Sequence, residues 1–196
     1  VSSCNCVDFP MGMNGSGKEM SEETTGLQPM LASPPTGVVV TGGASGIGLA
    51  TAEALAAVGR RVAIWDINAG AAHAIADDLA RRYGVAAAGV AVDLRDASAI
   101  DAAARSTREA IGAIGGIVHS AGTAEVTGLD GVTIANWDAG IHLHVRALLL
   151  LAQAFREDLR ATRGGAIVAL SSINATLGSG LVPIYSAAKG AVISLV

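Results

Sequence analysis

The stretch VVVTGGASGIG, residues 38–48, decides the fold. Its first three residues are apolar and β-branched, which is typical of a strand buried on both faces. The glycine-rich part follows, and an alanine-rich segment then predicts a helix from Ile47 to Val58, with Gly59 as its stop. A strand, a glycine loop and a helix in this order indicate the first unit of a parallel α/β sheet.

The glycines of this loop have separate tasks. Gly42 permits a tight turn, Gly46 lets the backbone approach a pyrophosphate, and Gly48 lets the helix pack against the strand. Free N–H groups at the helix N-terminus then hold the phosphates. An ordinary structural turn is the alternative, whereas a Walker-type phosphate loop is excluded because the Gly-Lys-Ser/Thr ending is absent.

The alternation of apolar runs and helical patterns continues along the chain. Further strands are predicted at 61–65, 85–92, 116–120 and 166–170. Further helices are predicted from Asn68 to Tyr83, from Ala97 to Ile111 after the cap Asp96, from Ile134 to Thr162 with Gly140 as a candidate interruption, and from about Tyr185 onward. The predicted fold class is therefore α/β, a Rossmann-type doubly wound parallel sheet with helices on both faces.

Residues 1–36 differ from the remainder. They are rich in Gly, Ser, Pro, Met and Glu and have no helical or strand period. We predict a flexible leader there, followed by a single domain over 37–196. Cys4 and Cys6 lie in the leader, and an unstructured tail in a reducing cytosol is favoured over half of a metal site, because structural zinc sites need four ligands.

Composition restricts the partners. The 196 residues are 51% hydrophobic and 15% charged with a net charge of −4, and no basic block is present, so nucleic acid is not an expected partner. No uninterrupted apolar run approaches the ~18 residues that span a bilayer, and no secretory signal is recognisable. A cytoplasmic protein that neither crosses nor binds a membrane is predicted.

Two acidic positions follow predicted strands. Asp66 comes 18 residues after Gly48, where a carboxylate accepts hydrogen bonds from the adenine-ribose hydroxyls and repels a 2′-phosphate. NAD is therefore favoured over NADP. Asp93 and Leu94 follow the third strand, where an acceptor and an N–H group can meet the adenine edge. A helix cap is the alternative for either aspartate.

Tyr185 and Lys189 are spaced i, i+4 and so share one face of the last predicted helix. A neighbouring ammonium lowers the pKa of a phenol, which then serves as general base for alcohol oxidation or general acid for ketone reduction. Ser172 is predicted to end the fifth strand, 13 residues before Tyr185, where its hydroxyl can donate to the substrate oxygen. A surface Tyr–Lys pair is the alternative.

These motifs, in this order, resemble the short-chain dehydrogenase/reductase family over 37–196, in the branch with a TGxxxGxG loop. The resemblance implies a secondary alcohol or ketone as the small-molecule substrate, hydride transfer with a nicotinamide cofactor, and Ser172, Tyr185 and Lys189 as catalytic residues. The expected cofactor contacts are Gly42, Ser45, Gly46, Ile47, Gly48, Asp66, Asp93, Leu94, Ala121, Gly122, Tyr185 and Lys189.

The chain departs from the family pattern at two histidines. The family's Asn-Asn-Ala-Gly stretch reads His119-Ser120-Ala121-Gly122, so its first two residues do not match. His144 stands seven residues after Trp137, where the family has an asparagine that holds a water in a proton relay. Imidazole can substitute because it both donates and accepts, and a helix-packing histidine is the alternative.

Length is the third departure. Related enzymes continue beyond the Tyr–Lys helix with two further strands, so the last strands are expected to be missing, the fifth strand to be an exposed edge, and the nicotinamide pocket to lack one wall. Little or no turnover is expected of this chain alone. A truncated or inactive nucleotide-binding or interaction module is the alternative function, while a sugar-nucleotide epimerase is disfavoured by the glycine spacing.

Two further expectations concern surfaces. The loop 173–184 is expected to line the substrate pocket. An apolar stripe at helical spacing is either internal core or part of an interface; it consists of Ala147, Leu148, Leu151, Ala152 and Phe155. By resemblance the full-length form is expected to be a homo-oligomer.

Overall fold

A computed structural model describes residues 34–196, and its centre is a five-stranded parallel sheet. The strands lie in the order β3-β2-β1-β4-β5, so the first strand is central. This arrangement confirms the predicted Rossmann-type doubly wound fold. The strands are β1 (Gly37–Thr41), β2 (Val62–Asp66), β3 (Ala87–Ala91), β4 (Ile114–His119) and β5 (Ala166–Ala169).

Helices cover both faces of the sheet. They are α1 (Gly46–Ala57), α2 (Ala69–Tyr83), α3 (Ala97–Ile111), α4 (Ile134–Ile141), α5 (Ala147–Ala154), α6 (Arg156–Ala161), α7 (Asn174–Leu177) and α8 (Pro183–Leu195). A one-turn π-helix, His142–Arg146, joins α4 to α5. One hydrophobic core lies under α1 and α2, and the other lies under α3 and α5.

The residues predicted to cap or stop helices do so in the structure. The side chain of Asn68 accepts a hydrogen bond from the Ala71 N–H, and that of Asp96 accepts one from the Ser98 N–H. Gly84 ends α2 in the left-handed conformation, with φ of 66°. These caps fix where each helix begins or ends at the edge of the sheet.

The prediction of one helix over 134–162 was wrong in detail. The chain widens into the π-helix at 142–146, and α5 ends at Ala154 because Phe155 leaves helical geometry, with φ of −107° and ψ of 10°. Gly140 does not interrupt the helix. A Cβ at Gly140 would lie 2.5 Å from Cγ2 of Ile184, so glycine there allows α8 to pack closely.

The apolar stripe from Ala147 to Phe155 belongs to the core. Ala147, Leu148, Leu151 and Phe155 are at most 2% exposed. Phe155 contacts Trp65, with ring centroids 5.9 Å apart. The internal alternative is therefore correct for these four residues, whereas Ala152 is only partly buried.

Strand bounds differ by a few residues from the predicted ones. β4 begins at Ile114 rather than Gly116, because Ile114 pairs with Gly37 of β1. The two glycines that follow Ile114 weaken the strand signal in the sequence. β3 is shorter than 85–92, and α7 interrupts the predicted loop 173–184. β5 is an edge strand, as expected.

The predicted leader, including Cys4 and Cys6, lies outside the described residues apart from its last three. Of these, Thr36 accepts a hydrogen bond from Nε of Arg60 at 3.0 Å through its backbone carbonyl. Across residues 34–196, no helix is long and apolar enough to cross a membrane.

Candidate active site

A cleft of about 470 Å³ opens at the carboxyl ends of the strands. This edge is where ligands of open α/β sheets bind. Eleven of the predicted site residues line it: Gly42, Ser45, Gly46, Ile47, Asp66, Asp93, Leu94, Ala121, Gly122, His144 and Tyr185. Gly48, Ser172 and Lys189, the other three predicted site residues, are not among the lining residues of the cleft.

The glycine loop is closely packed on one side and open on the other. Gly42 has φ of 63°, and a Cβ there would lie 2.8 Å from the Cα of Ala121. A Cβ at Gly48 would lie 2.2 Å from the carbonyl oxygen of Gly42. A Cβ at Gly46 would meet no atom of the described chain within 4 Å, so the open side faces the cleft.

The N-terminus of α1 suits an anion. Ser45 occupies the cap position without making a side-chain capping bond, so its hydroxyl leaves the first-turn N–H groups unshielded. N–H groups and the helix dipole at such an end attract phosphate. Residues 42–48 therefore fit the pyrophosphate of a dinucleotide.

Asp66 connects this loop to the end of β2. Its Oδ2 accepts a hydrogen bond from the Ala44 N–H at 3.2 Å, and its Oδ1 accepts one from the Asn68 N–H at 3.0 Å. Asn68, not Asp66, caps α2. The half-buried carboxylate of Asp66 thus borders the cleft, and its capping alternative fails.

Asp93 is bound by a residue that the sequence analysis missed. Both of its carboxylate oxygens accept hydrogen bonds from the Arg95 side chain, and this pairing lowers the pKa of Asp93. Asp96 caps α3, so Asp93 is not the helix cap. The sequence signal for this ion pair was the arginine two residues after the aspartate.

Tyr185 and Lys189 lie on one face of α8, as predicted. The Nζ atom of Lys189 is 5.5 Å from the centre of the Tyr185 ring. Lys189 is 4% exposed and donates to the carbonyl oxygen of Leu170 at 2.5 Å. Burial lowers the pKa of this lysine. The buried amine of Lys189 therefore stands beside the ring of a tyrosine that lines the cleft.

Ser172 lies three residues beyond the end of β5, so the prediction that it ends this strand was wrong. The strand is short because its outer edge is unpaired in the described sheet. The Ser172 oxygen accepts a hydrogen bond from the Asn174 N–H at 3.2 Å, and its hydroxyl proton remains available to donate. Of the loop 173–184, only Ile184 lines the cleft.

His144 lies in the π-helix and contacts Tyr185 edge to face, with ring centroids 5.5 Å apart. Its Nε2 is 2.9 Å from the carbonyl oxygen of Thr123, and the Thr123 N–H is farther away, at 3.4 Å. Because a carbonyl only accepts, we assign the proton to Nε2, which leaves Nδ1 as an acceptor.

His144 is closely surrounded by neighbouring residues. Its Nδ1 is buried and has no hydrogen-bond partner among the described residues. Burial lowers the pKa of His144, and the charge of Lys189 adds to this effect. A Cβ at Gly122 would lie 2.4 Å from Cε1 of His144, so the imidazole rests directly on this glycine.

His119 joins two strands beneath the cleft. It is 2% exposed, and its Nδ1 is 2.9 Å from Oγ1 of Thr41, which also accepts from the Ala121 N–H. Burial, followed by the charge of Lys189, lowers the pKa of His119 to about 4. The residue is therefore neutral near pH 7.

The chain matches a known protein family and several of its members. A family model described as short chain dehydrogenase matches residues 36–196. A probable galactose dehydrogenase of Rhizobium meliloti is 37% identical over 159 residues, which are 81% of this chain and 62% of that protein. D-threitol dehydrogenase of Mycolicibacterium smegmatis is 36% identical, with 80% of this chain and 60% of that protein covered.

The fold is also similar to that of solved structures. L-sorbose reductase from Gluconobacter frateurii, complexed with NADPH and L-sorbose, superposes with a TM-score of 0.79 at 31% identity. The match covers 84% of this chain and 64% of that one. This chain spans about three-fifths of the length of the relatives it matches.

Proposed function

This chain belongs to the short-chain dehydrogenase family, and we propose that it uses NAD to interconvert a secondary alcohol and a ketone. The observation that carries the proposal is the position of Tyr185. Its ring lines the cleft, and the buried amine of Lys189 lies 5.5 Å from the ring centre. A bound nicotinamide would supply the hydride acceptor or donor.

The chain's own residues supply the proton chemistry in this proposal. Tyr185 takes the proton of the alcohol as hydride leaves, or returns it to the ketone oxygen in reverse. Lys189, held by the Leu170 carbonyl, stabilises the phenolate electrostatically. Ser172 donates its hydroxyl proton to the substrate oxygen, where negative charge develops.

His144 takes the place of the relay asparagine in the proposed site. With Nε2 fixed on Thr123, its Nδ1 is a buried acceptor on the side of Gly122, in a ring that contacts Tyr185. This acceptor can hold a water or hydroxyl proton next to the phenol. The imidazole also fixes the orientation of the Tyr185 ring by edge contact.

The choice of NAD is supported by Asp66, whose carboxylate lines the cleft beside the glycine loop. Negative charge there opposes a 2′-phosphate. The L-sorbose reductase complex contains NADPH, so both cofactors need to be compared directly. A homo-oligomeric full-length form and a cytoplasmic location stay predictions.

The test begins with binding, because binding does not depend on turnover. NADH and NADPH are titrated into the chain while energy transfer from tryptophan to the reduced nicotinamide is recorded. We expect NADH to bind more tightly than NADPH, and Tyr185→Phe to leave NADH binding unchanged within about twofold.

Activity on secondary alcohols is then measured for the wild type and for Tyr185→Phe. Turnover that depends on the Tyr185 hydroxyl supports the oxidoreductase, whereas no binding of either dinucleotide would refute the proposal. Binding without Tyr185-dependent turnover would favour a nucleotide-binding module. The observation that favours such a module is that Nε2 of His144 is already bonded to the carbonyl oxygen of Thr123.

A further inference from the structure

The carboxylate of Asp93 is surrounded by the nitrogen atoms of one residue. Oδ1 accepts hydrogen bonds from the backbone N of Arg95 at 2.9 Å and from its Nε at 3.0 Å. Oδ2 accepts from Nη2 at 2.8 Å and from Nε at 3.2 Å. Since a carboxylate offers about four lone-pair sites, Arg95 takes up most of the accepting capacity of Asp93.

Arg95 is fixed in the wall of the cleft. Its guanidinium forms a fork with Asp93, which holds the planar group in one orientation. Its backbone carbonyl accepts a hydrogen bond from Nη2 of Arg146, at the end of the π-helix. The side chain is 48% exposed, and Nη1 makes no hydrogen bond within residues 34–196, so it can donate to a ligand.

The two side chains have opposite preferences at the edge of a purine. The 6-position of adenine carries an amino donor, whereas that of hypoxanthine or guanine carries a carbonyl acceptor. A bare carboxylate accepts from the amino group and repels the carbonyl oxygen. A guanidinium donates to the carbonyl oxygen, and it is the usual partner of a 6-oxopurine in proteins.

Resting on the proposed dinucleotide site, we propose that Arg95 sets the base selectivity of the cleft, so that nucleotides of 6-oxopurines bind about as well as those of adenine. Asp93 is already satisfied by Arg95, which reduces its gain from the adenine amino group. The free N–H groups of Arg95 provide the donors that a 6-carbonyl needs.

Calorimetric titration of the 196-residue chain with ADP and with inosine diphosphate tests this inference. These two ligands differ only at the purine edge, and neither needs the nicotinamide pocket. We expect their dissociation constants to agree within about threefold. In Arg95→Ala the exposed Asp93 charge should weaken the binding of inosine diphosphate by about tenfold relative to that of ADP.

The matched control is Arg81→Ala, which removes another surface arginine paired with an aspartate, Asp78, outside the cleft. It should change neither affinity. Asp93→Asn with Arg95 retained should favour inosine diphosphate. Retained ADP binding by Arg95→Ala shows that this variant is folded.

Two results would overturn the inference while leaving the dinucleotide site intact. One is a wild-type preference for ADP above about tenfold, and the other is an equal effect of Arg95→Ala on both nucleotides. Failure of the wild type to bind either nucleotide would instead overturn the proposed cofactor site and this inference together.

Discussion

The proposed phosphate-binding half of the cleft, at the glycine loop 42–48, and its proposed catalytic half, around Tyr185, rest on strands that are buried to different extents. β1, which leads into the glycine loop, is central, and its Val39 and Val40 are fully buried. β5, which leads toward Ser172, is an edge strand, and its Val168 is 53% exposed. Backbone contacts therefore fix the first half, whereas single side chains such as Lys189 fix the second.

The largest effect is expected from Gly48→Ala, in the rigid half. The added Cβ would lie 2.2 Å from the Gly42 carbonyl oxygen, and a backbone atom cannot move away cheaply. We expect the free energy of unfolding to fall by about 3 kcal/mol in chemical denaturation.

Gly180→Ala is the control for this variant, in the loop of the catalytic half. A Cβ there would meet no atom of the described chain within 4 Å, so its stability should change by less than about 0.5 kcal/mol. Equal losses in the two variants would show that the halves do not differ in rigidity.

His119 should make stability depend on pH at the boundary between the halves. Its folded pKa, about 4, is below the usual 6.5, so protons bind preferentially to the unfolded chain. Its stabilising contribution is therefore present above pH 6.5 and is lost as pH falls toward 4. Between pH 7 and pH 5 the loss should be about 2 kcal/mol.

Denaturation midpoints at both pH values, for the wild type and His119→Asn, measure this dependence. The variant should be less stable at pH 7 but should lose less stability on acidification. His73→Asn, which changes an exposed histidine on α2, is the control. An unchanged pH dependence in His119→Asn would contradict the assignment.

Asp66→Ala should have an intermediate effect, on binding rather than folding. Loss of the carboxylate removes hydrogen-bond acceptors for the ribose hydroxyls and the repulsion of a 2′-phosphate. The ratio of NADH to NADPH affinity should fall about tenfold in the fluorescence titration. Asp101→Ala, on the exposed face of α3, should not alter this ratio. An unchanged ratio in Asp66→Ala would remove the support for NAD.

The smallest effect is expected in the catalytic half, for Ser172→Ala. The variant loses one partly buried hydrogen bond to the Asn174 N–H, so the free energy of unfolding should fall by about 0.5 kcal/mol. Ser171→Ala should cost about 1 kcal/mol, because it leaves the Lys189 carbonyl without its 2.9 Å donor. A larger loss for Ser172→Ala would indicate a structural rather than a catalytic hydroxyl.

The sequence predicted best what local chemistry determines. The glycine loop, the caps Asn68 and Asp96, and the stop at Gly84 are each specified by a few adjacent residues, and each is in place. The pairing of Tyr185 with Lys189 follows from helix periodicity alone. These features need no knowledge of distant contacts.

Features that depend on distant contacts were not predictable. The π-helix appears in a segment whose apolar pattern reads as continuous helix, and Gly140 is small because Ile184 packs against it. The pairing of Arg95 with Asp93 is local, between residues two apart, and it was missed because no helix or strand period marks the turn that joins them. The prediction that Ser172 ends a strand failed because β5 ends at Ala169, before its apolar run does.

The contact between Gly122 and His144 imposes an order on mutation. An imidazole that rests on an α-carbon leaves no room for a methyl group unless the ring shifts, so histidine keeps its present position at 144 only while glycine occupies 122. Glycine at 122 would have had to be present before or together with the histidine. Any later replacement of that glycine would need a smaller residue at 144 first. The histidine therefore restricts which substitutions position 122 can accept.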